Sequence, residues 1–308
     1  MLMPSHPFTT SEAAALGITR SALRSAVAHG QIRRVLHGVY ALTSLNDTPE
    51  TRASAAALVV PAHCVVVDRT AAWLYGVDCW PAGWLDLPPP LDMVSAGHEP
   101  SRRSGLLGGR RDLQPEEITT IGGVRITTPL RTACDCARLR GRWAAIAALD
   151  GFMRHHGLTQ SDLALALPRF KGRRGCIQLR ELVSLASPLA ESAAESWVRL
   201  AIHDAGLPPP SPQVVVDVTG YGVVRLDLAY PHLRVAVEFD GEAFHSLPEH
   251  RRRDAARREA LREAGWRVLV LRKEDLVAGR LDSRLAELRR VLEDRAPVAR
   301  RRYSRFAG

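Results

Sequence analysis

Residues 225–245 of this 308-residue chain, RLDLAYPHLRVAVEFDGEAFH, decide the predicted fold of its C-terminal part. Apolar and polar residues alternate on both sides of Pro231, and this period of two is typical of two β-strands. Pro231 has no N–H to donate to a sheet ladder, so we place the bend between the strands there. With a loop of two or four residues, Asp227 is expected opposite Ala236.

The same alternation places Asp227, Ala236, Glu238 and Asp240 on one face of the sheet. The diagonal partner of Asp227 is then Glu238, roughly 5 to 8 Å away by ordinary sheet geometry. Carboxylates this close repel one another and shift their pKa unless a proton or a cation compensates. The hairpin therefore predicts a site for one hard divalent cation. Polar residues on a solvated strand face are the alternative interpretation.

Composition limits the class of protein. Lys and Arg number 42 against 33 Asp and Glu, a formal net charge of +9, which favours polyanionic partners, although basic tails on unrelated enzymes give similar totals. The 5 cysteines are scattered, so we expect reduced core cysteines and no disulfide framework. No apolar run approaches the ~20 residues of a membrane span, and no signal peptide precedes Pro4. We therefore expect a cytoplasmic protein with no membrane partner.

The first 42 residues predict a small helical unit followed by a hairpin. Ser11 is expected to cap a first helix that ends at Gly17, and a second helix spans about residues 19–29. Residues 31–42 predict a basic hairpin. This order is typical of a winged helix-turn-helix, whose second helix enters the major groove while the wing contacts phosphates. A helical hairpin with a solvated basic face is the alternative. The expected DNA contacts are Arg20, Arg24, Arg33 and Arg34.

Three segments of this unit resemble a known family. TTSEAAALG (9–17), RSAL (20–23) and IRRVLHGVY (32–40) are similar to the N-terminal domain of AbiEi-type antitoxins from type IV toxin–antitoxin systems. TTPLRTACDCA (127–137) resembles the second part of the same family. The resemblance implies DNA as one partner and a toxin or another protein as a second. Within the last segment, we interpret Arg131 and Asp135 as a surface ion pair.

The C-terminal pattern predicts the element order α-β-β-β-α-β-α. A helix near residues 188–205 carries Glu195 at the border of its apolar side, and the first strand covers 213–218. After the hairpin come a helix at 248–264, a strand at 266–271 and a last helix that Asp282 is expected to cap.

This order and the acidic hairpin together resemble the PD-(D/E)XK nuclease superfamily. The most similar members are domains of unknown function related to very-short-patch repair (Vsr-type) endonucleases, and the matching pieces include LDLAYP (226–231), VEFDG (237–241) and GWRV (265–268). The resemblance implies that Asp227 and Glu238 bind Mg²⁺ or Mn²⁺. The superfamily usually has Lys at the position of Asp240, so His245 or an arginine between 251 and 258 has to supply the positive charge. The implied catalytic residues are Asp227, Glu238, Asp240, Glu195 and His245, with Arg251 and Arg258 as further DNA contacts.

We therefore expect an α+β multidomain chain. Its predicted parts are a winged helix-turn-helix domain (1–45), an antitoxin-like mixed α/β middle domain (46–184), an αβββαβ restriction-endonuclease-like core (185–295) and a basic tail (296–308). The leading functional prediction is a DNA-binding protein with a Mg²⁺-dependent endonuclease domain that hydrolyses or nicks DNA phosphodiesters. The alternative is a non-enzymatic DNA-binding antitoxin or transcriptional regulator with a degenerate nuclease fold. Asp240 in place of Lys favours the alternative, whereas the three other carboxylates favour the enzyme.

Overall fold

The computed structural model describes residues 3–77, 79, 90–95, 106–107, 111–240, 248–277 and 279–296. These residues form a mixed α/β structure, as the sequence predicts, and its sheets have three, five and four strands. The chain divides into two compact units, Met1–Ala193 (unit 1) and Ala194–Gly308 (unit 2).

Among the residues that the structure describes, no helix has the length and apolar character needed to cross a membrane.

Unit 1 begins with a short strand, two helices and a hairpin. The strand β1 (Phe8–Thr9) pairs with the second hairpin strand, which gives a three-stranded sheet with that strand in the middle. One apolar cluster, which includes Phe8, Leu23 and Ile32, packs the helices against this sheet. The other elements are α1 (Thr10–Ala15), α2 (Arg20–Ala28), β2 (Ile32–Leu36) and β3 (Val39–Leu42).

The expected cap of the first helix at Ser11 is wrong. Thr9 is the N-cap residue, because its hydroxyl accepts a hydrogen bond from the Glu12 backbone N–H at 3.1 Å. The Glu12 carboxylate accepts in return from the Thr9 N–H at 2.7 Å, and this reciprocal capping box makes the helix begin at Thr10.

The other side of the hairpin packs on the middle region of unit 1. Buried Leu36 and Val39 share one apolar cluster with Ala55 of α3 (Pro49–Ala57) and Ile126 of a second sheet. The hairpin and the middle region therefore share a core, whereas α1 and α2 pack in the separate cluster described above. The second sheet has the order β6-β5-β4-β8-β7. Its strands are β4 (Cys64–Val66), β5 (Leu91–Ser95), β6 (Leu106–Leu107), β7 (Ile118–Ile121) and β8 (Val124–Thr127), and α4 (Asp68–Leu74) follows β4.

Four helices complete unit 1: α5 (Pro129–Arg138), α6 (Arg142–His156), α7 (Gln160–Ala166) and α8 (Cys176–Leu185). The surface position expected for the Arg131–Asp135 pair is wrong, since the two side chains are only 3% and 1% exposed. Arg131 also binds Glu117 at 2.5 Å, and Arg111 reaches Asp135 at 3.2 Å. These partners come from distant parts of the chain, so the pair belongs to a buried ionic network.

Unit 2 has the predicted element order. It contains α9 (Ala193–Asp204), β9 (Ser211–Val218), β10 (Gly222–Tyr230), β11 (Val235–Asp240), α10 (Pro248–Glu263), β12 (Arg267–Arg272) and α11 (Arg280–Arg295). The sheet order is β12-β11-β10-β9, with β12 parallel to β11 and the other pairs antiparallel. Asp282 does not cap the last helix, because Gly279 is the N-cap residue and Asp282 lies in the first turn.

Candidate nucleic-acid interface and carboxylate site

The register of the β10–β11 hairpin differs from the expected one. Tyr230 pairs with Val235 and Ala229 with Ala236, so the pairing of Asp227 with Ala236 is wrong. Four residues, 231–234, connect the strands and end in a left-handed Arg234 with φ 51°. Continuing this register places Asp227 directly across from Glu238. Directly opposed residues of an antiparallel pair share a face, so the two carboxylates still lie on the same side of the sheet.

Asp227 is half-buried at the centre of this face. Its carboxylate accepts a hydrogen bond from the Phe239 backbone N–H at 3.1 Å. The pKa of Asp227 is raised to about 6, mainly by burial and less by the negative charges of Glu195 and Glu238, while the Phe239 hydrogen bond and the charge of Arg257 act in the opposite direction. Glu195 and Glu238 are therefore close enough to Asp227 for their charges to act on it.

Gln213 joins this site, although the sequence predicted no role for it. Its side-chain amide donates to Glu195 Oε2 at 2.9 Å. Its own Oε1 is buried without a hydrogen-bond partner. Gln213 also has a left-handed backbone conformation, with φ 51°. It lies in β9 at the register position opposite Asp227 of β10. Strained backbone of this kind in a non-glycine residue is typical of functional sites.

Glu238 is 8% exposed and is bound by Arg257 of α10. Arg257 Nη1 donates to Glu238 Oε2 at 2.9 Å, and Nη2 donates to Oε1 at 2.5 Å. Nη2 also donates to the Arg225 carbonyl oxygen at 2.9 Å. The sequence offered His245 or an arginine within residues 251–258 as the source of the positive charge; within that range, Arg257 is the arginine that pairs with Glu238.

Asp240 lies beside two arginines. Its Oδ2 is 3.6 Å from Arg258 Nη2 and 3.9 Å from Arg272 Nε. Asp240 is therefore an acidic side chain in basic surroundings. His245 and the side chain of Arg251 lie outside the described residues.

The donor chemistry of the site fits a divalent cation of the Mg²⁺ type. Asp227, Glu195 and Gln213 contribute oxygen donors, and the partnerless Gln213 Oε1 is the kind of acceptor that a bound cation satisfies. Over the ranges that the structure describes, however, no three His, Cys, Asp or Glu side chains converge to hold a metal ion. Glu238 is turned toward Arg257 and does not complete such a set.

A basic groove lies between α2 and the hairpin of unit 1. Its volume is about 370 Å³, and exposed Arg20 and Arg24 line it from α2. Arg34 and His37 line it from the hairpin, and the Arg34 guanidinium lies 5.7 Å from the centre of the Tyr40 ring. Such a cation–π contact restricts the arginine while leaving its donors available.

Arg33 lies on the opposite side of β2, because neighbouring side chains of a strand point to opposite faces. It donates to the Leu45 carbonyl oxygen at 3.3 Å and lies 3.6 Å from Asp47. The structure thus places Arg20, Arg24 and Arg34 in one groove and Arg33 outside it.

Two family matches cover most of unit 1. Residues 5–43 match the family described as "Transcriptional regulator, AbiEi antitoxin", and residues 62–185 match "AbiEi antitoxin C-terminal domain". Two antitoxin domains in succession define the class of protein. Unit 1 therefore carries two domains of the AbiEi antitoxin family, and the resemblance predicted from the sequence is confirmed for both of them. Both matches end before unit 2.

Relatives over nearly the whole chain occur in Mycobacterium tuberculosis. The uncharacterized protein MT2308 (strain CDC 1551 / Oshkosh) is 33% identical over 273 residues, which are 87% of this chain and 96% of the relative. The uncharacterized protein Rv2248 (strain ATCC 25618 / H37Rv) has the same identity and coverage. This span is longer than unit 1, so the relatives share sequence with both units.

Proposed function

We propose that this chain is a DNA-binding antitoxin or transcriptional regulator whose groove in unit 1 binds duplex DNA. The basic groove between α2 and the hairpin carries the proposal, since it lies within the segment that matches the AbiEi regulator family. The antitoxin family also supports a toxin as a protein partner.

The groove has the geometry that a winged helix-turn-helix needs. Arg20 and Arg24 are one helical turn apart on the exposed side of α2, where a recognition helix presents its side chains to the major groove. Arg34 and His37 extend the positive surface onto the hairpin, where a wing contacts the backbone. Phosphate contacts of this kind supply sequence-independent affinity, and groove contacts supply sequence preference.

Arginine substitutions test this interface with a control from the same hairpin. Arg24→Ala and Arg34→Ala should each weaken binding to a duplex from the promoter of the chain's own gene. Each lost phosphate contact should also reduce the slope of log affinity against log salt by about 0.9. Arg33→Ala is the matched control, because Arg33 faces Leu45 and Asp47 instead of the groove. An equal loss of affinity in all three variants, or unchanged salt slopes, would contradict the proposal.

A second function is supported by unit 2, a metal-dependent endonuclease activity on DNA. The observation that favours it is the half-buried Asp227, on which the charges of Glu195 and Glu238 act, within an αβββαβ element order. Asp227 and Glu238 would hold Mg²⁺ or Mn²⁺, with Glu195 and Gln213 beside them. A bound ion would supply a water of lowered pKa and offset charge on the phosphate. Asp227 contributes a carboxylate that the Phe239 N–H already orients, and cutting of supercoiled plasmid tests the activity.

A further inference from the structure

Arg257 is fixed on Glu238 by three hydrogen bonds. Both terminal nitrogens bind the carboxylate, and Nη2 also binds the carbonyl oxygen of Arg225 on the neighbouring strand. The pair is largely shielded from solvent, with the Arg257 side chain 26% exposed and that of Glu238 10% exposed. A two-pronged ion pair in such surroundings is among the stronger polar contacts in proteins.

This pair uses both oxygens of Glu238, which are the atoms that a divalent cation would bind. A guanidinium and a metal ion on the same carboxylate would also repel each other at close range. Asp227 and Gln213, by contrast, keep oxygens available on the same side, since Gln213 Oε1 accepts no hydrogen bond. The site therefore has metal-type donors in place, and one of its two predicted ligands is already bound by an internal cation.

We propose that Arg257 is an internal competitor for divalent metal at Glu238. The guanidinium neutralises the buried carboxylate in the metal-free protein, and a bound Mg²⁺ or Mn²⁺ displaces it. This inference rests on the second proposed function, the metal site of unit 2. It explains why no three carboxylates converge in the described part of the chain even though Asp227, Glu195 and Glu238 are neighbours.

Calorimetric titration of the full chain with Mn²⁺ tests the competition. Arg257→Met keeps much of the length of the side chain and removes its charge, so Mn²⁺ should bind about tenfold tighter or more, as expected when a charged hydrogen-bonded pair no longer has to be broken. Arg258→Met is the matched control, since Arg258 is the next residue and lies near Asp240 rather than Glu238. Its affinity for Mn²⁺ should stay within about twofold of the original chain. Asp227→Ala should lose Mn²⁺ binding.

Thermal unfolding provides a second measurement. Arg257→Met leaves Glu238 buried without a cation, so the variant should unfold at a lower temperature in the presence of EDTA. Mn²⁺ should raise its Tm by more than it raises the Tm of the original chain, because ligand binding stabilises the state that binds more tightly. If the methionine variant does not fold, Arg257→Lys replaces it. Lysine keeps the charge without the two-pronged contact and should give a Mn²⁺ affinity between the two.

The possible failures differ from one another. Equal or weaker Mn²⁺ binding by the Arg257 variants, with binding still lost in Asp227→Ala, overturns the competition and leaves the metal site standing. Absence of Mn²⁺ binding in the original chain and every variant at millimolar concentrations overturns both the competition and the proposed nuclease function.

Discussion

The side chain of Asp92 is buried in unit 1, where its ionised form is destabilised. It lies in β5 with 8% of its surface exposed. Burial, and after it the charge of Asp68, raises the pKa of Asp92 to about 6, while Arg69 and Arg111 act in the opposite direction. Because the folded state disfavours the ionised form, the protein is expected to lose stability when this group becomes charged.

Asp92→Asn should therefore stabilise the protein at neutral pH and have little effect in acid. The pKa in the folded state is about 6 against an ordinary value of 3.8, so the stability linked to Asp92 is complete below pH 3.8 and lost as the pH rises through 6. The variant should gain up to about 3 kcal/mol of unfolding free energy relative to the original chain between about pH 4 and pH 7. Urea denaturation at several pH values measures this difference.

Asp112 supplies the control for this pH series. Hydrogen bonding by Arg169 lowers the pKa of Asp112 to about 2, so its stabilising effect is present above the ordinary value of 3.8 and lost only as the pH falls through 2. The difference between Asp112→Asn and the original chain should thus be flat over the range in which the Asp92 effect grows. Parallel curves for both variants would show that the burial of Asp92 does not affect its ionisation.

The contact of Arg131 with Asp135 was predictable from the sequence, whereas the burial of Arg131 was not. Its spacing to Asp135 predicts the contact correctly, since residues four apart are neighbours on a helix. Its burial depends on Glu117, which approaches from 14 residues away and has no regular spacing to it. Local periodicity therefore predicts the ion pair but not the network around it.

At the scale of elements, α8 begins at a glycine that no other residue can replace without strain. Gly175 has φ +80°, and a Cβ on it would lie 2.1 Å from the Arg138 carbonyl oxygen. Gly172 has a similar φ of +73°, with nothing within 4 Å of the Cβ position. A comparison of alanine substitutions at the two glycines therefore separates the cost of backbone strain from the cost of steric overlap.

Gly175→Ala should destabilise the protein more than Gly172→Ala. Each variant has the cost of a left-handed alanine, about 1–2 kcal/mol. Gly175→Ala also forces α8 and α5 apart at Arg138, which should add about 1–3 kcal/mol. Chemical denaturation of the two variants measures the difference. Equal losses would mean that the backbone at Arg138 moves without cost.

The elements of unit 1 were predictable to unequal degrees. The helices α1 and α2 have threonine caps and are followed by glycines, so residue types predicted their existence within a few positions. The sequence did not predict α6, because it is buried on most sides and has no polar stripe opposite an apolar one. The two-residue β1 is too short to show alternation, and only its pairing with β3 defines it.

At the scale of the whole molecule, the positions of the carboxylates were more predictable from the sequence than the identity of the arginine that binds them. Asp227 and Glu238 share a sheet face for any antiparallel pairing that keeps the alternation, so the register error did not separate them. Arg257 belongs to α10, and neither helical periodicity nor strand register states which of its arginines meets Glu238. Packing of the helix on the sheet decides that choice.

Parallel assays of plasmid cutting and duplex binding test whether unit 2 cuts DNA and unit 1 binds it. If unit 2 is a nuclease, the original chain should relax supercoiled plasmid in Mg²⁺ or Mn²⁺ and not in EDTA. Asp227→Ala should abolish this activity, because it removes a predicted metal ligand. Duplex binding by the same variant should stay near normal, since the basic groove lies in unit 1.

The variant Asp240→Lys tests whether the absence of lysine at position 240 limits DNA cutting. Lysine at this position would stand beside Arg258 and Arg272 in place of their acidic partner, so we expect lower activity and lower thermal stability. Asp240→Asn removes the charge without adding one and should have a milder effect on both. A rise in cutting by the lysine variant would show instead that Asp240 prevents cutting by a site whose other residues are sufficient for it. If neither the variants nor the original chain cut DNA with either metal, while all bind duplex normally, the proposed nuclease activity of unit 2 is contradicted and the proposal of a DNA-binding regulator stands without it.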